Sequence, residues 1–468
     1  MADQSPAQAS TGKVFAIVIV AVFLAALDSF IVNIAFPAIQ SDFSGSSLSD
    51  VSWVLNVYAI VFAALLVPAG KLGDILGRRR VFVAGLVAFG VGSALCAAAP
   101  SLPFLIGARV LQGAGGAMVT PTSLGLLLPS VPPHRRPVAI GAWAAVGAVG
   151  AASGPPLGGL LTEISWHWIF IVNVPLSLIT AVFAVRVLPE IRDPSASRLP
   201  DGVGSALLIS AVALLTLGLV KGHDWGWDAR VFGSLAASVA LGATFVWRSS
   251  RHPAPLLELS ILRVPAFALA SFSAALFFAA FAAFLLSSVI FLTDVWHYSA
   301  LKAGLALTPG PLAAATFAPI SGRLATRVGP GPVGAVGALA FAFGSVWWIW
   351  QVGLEPSYAS ELLPGMLVGG AGVGLIMPSF TVAATAALPP ARLATGIGAQ
   401  TMFRQIGATL GVAAFVAILG TPAPDQVLGA YDDTRWFMLA CTGIAALALM
   451  PLRLRAPAES RQEIVEVA

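Results

Sequence analysis

The sequence predicts an all-α integral membrane protein of fourteen transmembrane helices: two six-helix bundles, two further helices inserted between them, and both termini cytoplasmic. Three observations carry this. Only 10% of the 468 residues are Asp, Glu, Lys or Arg, while 58% are hydrophobic. A soluble surface needs roughly 25% charge, so a soluble enzyme, a nucleic-acid binder and a disordered scaffold are excluded. Apolar runs of membrane-crossing length recur from one end of the chain to the other. Finally, the chain repeats itself.

A helix needs about 20 apolar residues to cross a ~30 Å hydrocarbon core. Such runs occupy 14–37, 51–69, 81–99, 103–128, 138–161, 168–188, 203–221, 230–248, 266–292, 299–322, 332–353, 360–388, 393–420 and 434–452. The predicted organisation is a cytoplasmic tail (1–13), a six-helix bundle (14–188), a linker carrying two extra spans (189–265), a second six-helix bundle (266–452) and a cytoplasmic tail (453–468). The tail 1–13 carries Asp3 as well as Lys13, and the apolar run behind it is longer than that of a cleavable signal. With the N-terminus inside, four of the 25 Lys and Arg fall outside (Lys221, Arg230, Lys302, Arg435). Two lie within spans (Arg109, Arg404) and the remainder are cytoplasmic. Shifting the register by one span inverts that ratio, so the positive-inside rule sets orientation and parity. The chain is expected in the cell membrane as a multi-pass protein, working as a monomer.

The repeat pairs Gly70-Lys71-Leu72-Gly73-Asp74-Ile75-Leu76-Gly77, after span 2, with Gly322-Arg323-Leu324-Ala325-Thr326-Arg327-Val328-Gly329, after span 10. It also pairs Gly113-Ala114-Gly115 and Pro121 with Gly370-Ala371-Gly372 and Pro378, which sets Arg109 against Met366. Repeated membrane bundles that rock about a central site are the usual architecture of secondary transporters. The glycines recur and the charges do not, which concentrates charge work in the first half.

Taken in order, Asp28 is the acid deepest inside a span. It lies about 21 Å along span 1, and both it and Arg109 on span 4 are about 9 Å from the outer face. Opposite charges at one depth can pair in a water-lined cavity. A carboxylate poised between desolvation and a guanidinium that moves can load and release a proton; the bland alternative is a static pair that fixes packing. The stretch Gly70–Arg80, with Asp74, Gly77 and Arg78, reads as a cytoplasmic turn in which Asp74 latches the inner side. On span 5, Gly150, Gly154 and Gly158 leave one smooth face, and with Pro155 and Gly159 they read as a tight contact suited to an external seal. Phe277, Phe281, Phe284 and Phe291 form a stripe on span 9 that either lines a pocket or packs against lipid or core. Trp347, Trp348 and Trp350 read as an interfacial belt, and His167, His223 and His297 as external loop residues. Arg404 lies about 16 Å into span 13, with either a carbonyl-bonded structural role or contact with an anion or substrate. Phe30, Asn33, Gln112, Phe281, Phe284, Met377 and Arg404 are the substrate-binding candidates. Cys96 and Cys441 lie inside apolar runs and offer neither a disulfide framework nor a metal cluster. With no Walker A motif, the expectation is no metal and no cofactor, with the proton gradient as driving force.

These residues resemble a family, the major facilitator superfamily, and within it the fourteen-helix drug:proton antiporters. Gly70-x-Leu72-x-Asp74-x-x-Gly77-Arg78-Arg79 resembles the superfamily's loop 2–3 signature, and Leu105-x-x-x-Arg109-x-x-Gln112-Gly113-x-Gly115 its helix 4 signature. Gly141-x8-Gly150-x3-Gly154-Pro155-x2-Gly158-Gly159 is similar to the antiporter signature of helix 5 at every defined position. Leu27-Asp28 through Asn33, Ala35 and Pro37 resembles the helix 1 signature of the fourteen-helix branch. Trp166-His167-Trp168-Ile169-Phe170 with Asn173 and Pro175 resembles the start of its helix 6. The resemblance implies a major facilitator fold, proton coupling through Arg109 and exchange direction through Gly154-Pro155. Departures are Phe30 where Thr is usual, Ile75 where Arg is usual, and His167 where Arg is common. Because the second half lacks further embedded acids, neutral, monocationic or anionic amphiphiles are expected as substrates rather than dications. The function expected is therefore proton-coupled export of amphipathic drugs or antibiotics by alternating access, conferring resistance. The alternatives are a dedicated exporter of one self-made product and, distantly, a non-transporting sensor or scaffold. An enzyme is not expected.

Overall fold

A computed structural model describes residues 11–193, 199–386, 388–389 and 392–452. The C-terminal tail, most of the N-terminal tail and part of the linker, all expected from the sequence, lie outside the described residues. The described chain is helical and without strands. Its first half comprises α1 (Thr11–Asp42), α2 (Leu48–Leu76), α3 (Arg78–Ala97), α4 (Leu102–Leu127), α5 (Arg136–Ile164), α6 (Trp168–Ile171) and α7 (Asn173–Val187). Next come α8 (Gly202–Val220), α9 (Ala229–Arg251) and the short α10 (Leu259–Leu262). The second half comprises α11 (Pro265–Ile290), α12 (Ala300–Leu307), α13 (Pro309–Val328), α14 (Pro330–Gln351), α15 (Leu363–Thr385), α16 (Leu393–Leu419) and α17 (Val427–Leu449).

Among the described residues, thirteen helical stretches are long and apolar enough to cross a membrane. The remaining one, α17, has 23 residues but carries Asp432, Asp433 and Arg435 in its first turns. Two expected spans are each two helices. Span 6 divides at Val172 into α6 and α7, where Pro175 supplies no N–H to the preceding turn, and span 10 divides at Thr308–Pro309 into α12 and α13; proline removes a helix hydrogen bond and crowds the turn before it.

The sequence repeat is a repeat of contacts. Gly77 (φ 115°) and Gly329 (φ 93°) end α2 and α13 in the left-handed region that glycine alone enters freely. A Cβ on Gly115 would meet the Phe89 amide of α3 at 2.5 Å, and one on Gly372 would meet the Phe341 amide of α14 at 2.8 Å. Within each half, then, the same helix pair packs backbone to backbone at matching glycines.

The inserted helices α8 and α9 form a hairpin, joined where Ser238 Oγ donates to the Ala211 carbonyl (2.7 Å). One end is closed by Asp201, the cap of α8, which pairs with Arg248 of α9 at 2.8 Å. At the other end Lys221 pairs with Asp50 of α2 at 2.6 Å and with Asp224 at 2.7 Å. Ser49 Oγ also donates to Asp224. α8 packs against both α2 and α16, so the hairpin rides on the seam between the two halves and is tied by charge to the first.

The halves meet firmly on the side where α5 ends. There Gly304 of α12 lies against the Pro155 carbonyl, a Cβ on Gly159 would come 2.7 Å from the Ala300 carbonyl oxygen, and the Leu301 N–H donates to Glu163 (3.1 Å). Towards the opposite, arginine-rich end no described residue of 138–149 on α5 or 311–320 on α13 is buried. On α5, then, burial is confined to the half that meets α1 and α12.

Candidate functional site

Asp28, on α1, has no exposed surface, and Arg109, on α4, is 1% exposed. The Asp28 carboxylate accepts from Arg109 Nη1 at 2.6 Å through Oδ2, and from Gln112 Nε2 (2.8 Å) and Asn173 Nδ2 (3.1 Å) through Oδ1. Arg109 spends its other donors on the Val54 carbonyl (3.0 Å) and Gln112 Oε1 (2.6 Å). Its guanidinium lies 4.1 Å from the centre of the Tyr58 ring. Gln112 also donates to Ser93 Oγ at 2.8 Å. Helices α1, α2, α3, α4 and α7 thus converge on one carboxylate and one guanidinium.

The sequence places the glycines where this convergence needs them. A Cβ on Gly113 would stand 3.0 Å from the Tyr58 carbonyl oxygen, so glycine here eases the close approach of α2 that brings the Tyr58 ring over Arg109. The expected pair at one depth is present and buried, with Gln112, Asn173 and the Tyr58 ring packed around it. The hydroxyl missing at Phe30 is not needed, since Gln112 and Asn173 supply donors to Asp28. Gln112 sits inside this charge cluster with its amide fully engaged, apart from the aromatic candidates.

The Gly70–Arg80 stretch is a turn only at Gly77; the residues before it are the last turns of α2. Asp74 accepts from Arg78 Nε at 2.8 Å, and Arg78 Nη1 donates to the Gly125 carbonyl at the end of α4 (2.8 Å). The Asp193 N–H donates to the Asp74 carbonyl (3.0 Å) and the Arg78 N–H to the Ile191 carbonyl (2.8 Å). Glu190, not anticipated from the sequence, stands 3.6 Å from both Arg79 and Arg80 and accepts from the Arg79 N–H. Its signal was there: an acid two residues past span 6, facing an arginine triplet. These partners lie in the first half and in the segment that leaves it, so the latch stitches that bundle's own end.

The span 5 glycines serve two surfaces. Gly150, Gly154 and Gly158 pack on α1, where a Cβ at Gly154 would stand 2.8 Å from Phe30 Cβ. Pro155 and Gly159 instead face α12 in the other half.

The span 9 stripe faces inward. Phe277 is fully buried and packs on Phe341 and Phe380, and Phe284 stacks on Trp348 with centroids 5.0 Å apart. Phe281 meets Phe30 across the two halves, with centroids 6.2 Å apart. Met377, on α15, is half-buried against the same core. Asn33 turns its amide back to the Phe30 carbonyl of its own helix (3.2 Å). The expected tryptophan belt reduces to Trp350, 76% exposed. Trp347 and Trp348 instead donate to the Glu361 and Leu362 carbonyls (2.9 and 3.1 Å), pinning α14 to the start of α15. Among the described residues no carbonyl accepts from Arg404 Nε; the Arg404 guanidinium lies 4.3 Å from the centre of the Phe278 ring. Cys96 and Cys441 are buried and unbridged. Among the described residues no group of His, Cys, Asp and Glu is placed to hold a metal.

The family described as Major Facilitator Superfamily matches residues 18–412 and, in a second match, 272–466. The chain is 35% identical to the tetracenomycin C resistance and export protein of Streptomyces glaucescens over 90% of its own length and 77% of that protein's. It is 32% identical to multidrug resistance protein Stp of Mycobacterium tuberculosis, covering 85% and 74% respectively. A peptide transporter solved in complex with sulfate superposes with a TM-score of 0.67 at 15% identity, covering 94% of this chain and 96% of that one, a likeness of fold. From two structurally repeated halves and these matches, the chain belongs to the major facilitator superfamily and is a multi-pass integral membrane protein.

Proposed function

We propose that the chain is a proton-coupled exporter of amphipathic aromatic compounds, a drug:proton antiporter that works by alternating access in the cell membrane and needs no cofactor but the proton gradient. The observation that carries the reading is the Asp28–Arg109 cluster. A carboxylate with no solvent contact is held by three donors from two other helices, α4 and α7, so a shift of either helix changes its proton affinity. Embedded ionisable residues of this kind mark proton relays. Arg109 balances the carboxylate's charge in this arrangement, and a proton can take its place when helix motion draws the guanidinium away. Coupling follows if the two arrangements belong to the two access states. Asp74, Gly77 and Arg78 brace the cytoplasmic end of the moving bundle, while Pro155 and Gly159 form the outer seal that has to open.

The relatives' names favour export of antibiotics: one is named for resistance to and export of a single compound, another for multidrug resistance. A dedicated exporter of one aromatic product is the second reading, favoured by the first of these names. The test is proton release from reconstituted protein on addition of cationic, neutral and anionic aromatic amphiphiles. Wild type is expected to release protons with one or more classes, and Asp28→Asn to lose the release while remaining inserted and monodisperse. Undiminished proton-driven export in Asp28→Asn overturns the assignment. Response to several unrelated compounds separates the multidrug exporter from the dedicated one.

A further inference from the structure

Resting on that reading, the structure also indicates which substrates the central site takes. Where α11 and α16 pack in parallel, Gly396 lies against Phe267, Gly407 against the Ala275 carbonyl and Gly411 against the Ala279 carbonyl. At the register of Gly407 and Gly411, Gln400 stands within a turn of Ser271, and Arg404 stands one turn further along the same face of α16. Each of the three carries a buried polar atom without a hydrogen-bond partner: Ser271 Oγ, Gln400 Nε2 and Arg404 Nε. Gln400 is 3% exposed and Ser271 1%.

A guanidinium near mid-membrane without a counter-charge is strongly disfavoured. The Phe278 face under Arg404 offsets a part of this but accepts no N–H in the way an oxygen does. The other embedded charges are already balanced, since Asp28 and Arg109 neutralise one another. Among the described residues no carboxylate pairs with Arg404. The site therefore holds a surplus of donors and one surplus positive charge, which is the complement of an oxyanion. From Phe278 an aromatic path leads on: Phe281 lies 6.1 Å away, centroid to centroid, and Phe30 of the other half 6.2 Å further. A flat ring system laid along these faces brings an acidic group to Gln400 and Arg404.

We propose that Arg404 and Gln400 form an anion subsite for aromatic carboxylates and phenolates, with Phe278, Phe281 and Phe30 holding the ring system. The planar fork of arginine suits a carboxylate, and Gln400 adds a donor one turn below. Gln400 was not anticipated from the sequence; its signal is the spacing Gln400-x-x-x-Arg404, which puts both side chains on one helical face.

The matched probes are anthraquinone-2-carboxylate and its methyl ester, bound to purified wild-type protein and to Arg404→Gln, Arg404→Lys and Gln400→Leu. The readout is the ratio of the two affinities. Wild type is expected to favour the acid about tenfold or more. Arg404→Gln brings the ratio close to one, and Arg404→Lys and Gln400→Leu leave it between. A variant that merely loosens packing weakens both ligands alike and leaves the ratio unchanged, and that result in Arg404→Gln overturns the subsite. Equal binding of acid and ester by wild type, or no binding of either, also overturns it. Proton release with cationic and neutral compounds, measured in parallel, tests export itself, so the subsite can fail while the transport reading stands.

Discussion

Four side chains decide the chemistry of the first half: Asp28, Arg109, Gln112 and Asn173. Their pairing has a direct energetic consequence. Arg109→Ala strands the Asp28 carboxylate in a site without solvent access, and breaking a buried pair from one side costs about 3–5 kcal/mol. The thermal unfolding midpoint of the purified protein should fall accordingly. Replacing both partners, Asp28→Asn with Arg109→Gln, leaves no bare charge and should recover much of that loss. Equal stability of the single and double variants would count against a tightly paired cluster. Asp28 and Arg109 were legible in the sequence because a charge inside an apolar run needs a reason. Asn173 was visible only as part of a motif, and Gln400 not at all, because neutral amides stand out less in an apolar helix and only their partners, or lack of partners, reveal them.

At the scale of elements, the inserted hairpin is fastened by charge at both ends. Burial pushes the Asp201 carboxyl up, but Arg248 and the Gly204 N–H outweigh it and hold it below the usual carboxylate range. Asp224 is likewise pushed up by burial and held low overall by Lys221 and Ser49. Burial lowers Lys221, yet Asp224 and Asp50 lift it above the usual lysine range. The lowered carboxylates stabilise fully above the unfolded-state value near 4 and lose that contribution as pH falls through their folded values. The raised lysine stabilises fully below about 10.4 and loses it as pH rises through its folded value. Docking of the hairpin should therefore hold constant from about pH 5 to about pH 9. Hydrogen exchange of segment 221–228, corrected for intrinsic rates, should stay flat across that window and rise several-fold in Lys221→Met. A marked change within the window, or no change in the variant, would show that these charges do not anchor it.

On the scale of the whole molecule, the two halves touch through α5 and α12 and again through α2 and α16. Thiols placed as Glu163→Cys and Leu301→Cys should be joined by a short bifunctional reagent in this arrangement. Joining them should abolish export, since alternating access requires that contact to open, and a cleavable reagent should restore it on cleavage. Full export with the contact covalently closed would mean that α5 and α12 do not separate during transport.

The sequence by itself determined the membrane class, the helical spans and the two-fold repeat. These depend on local quantities: apolar length against bilayer thickness, and glycines recurring at matched positions. It also marked Asp28 and Arg109, because burying a charge is costly wherever the helix goes. Only the tertiary structure decided that Gln112 joins the charge pair and not the aromatic wall. It likewise showed that the Asp74 latch stays within one half, that Trp348 packs in the core, and that the hairpin lies along the α2–α16 seam. It alone showed that, among the described residues, no oxygen accepts from Arg404 Nε. Each of these depends on which helix faces stand opposite one another, and a span of apolar residues is hydrophobic all round. With no amphipathic stripe to orient it, a helix in a membrane bundle takes its facing from close packing with its neighbours.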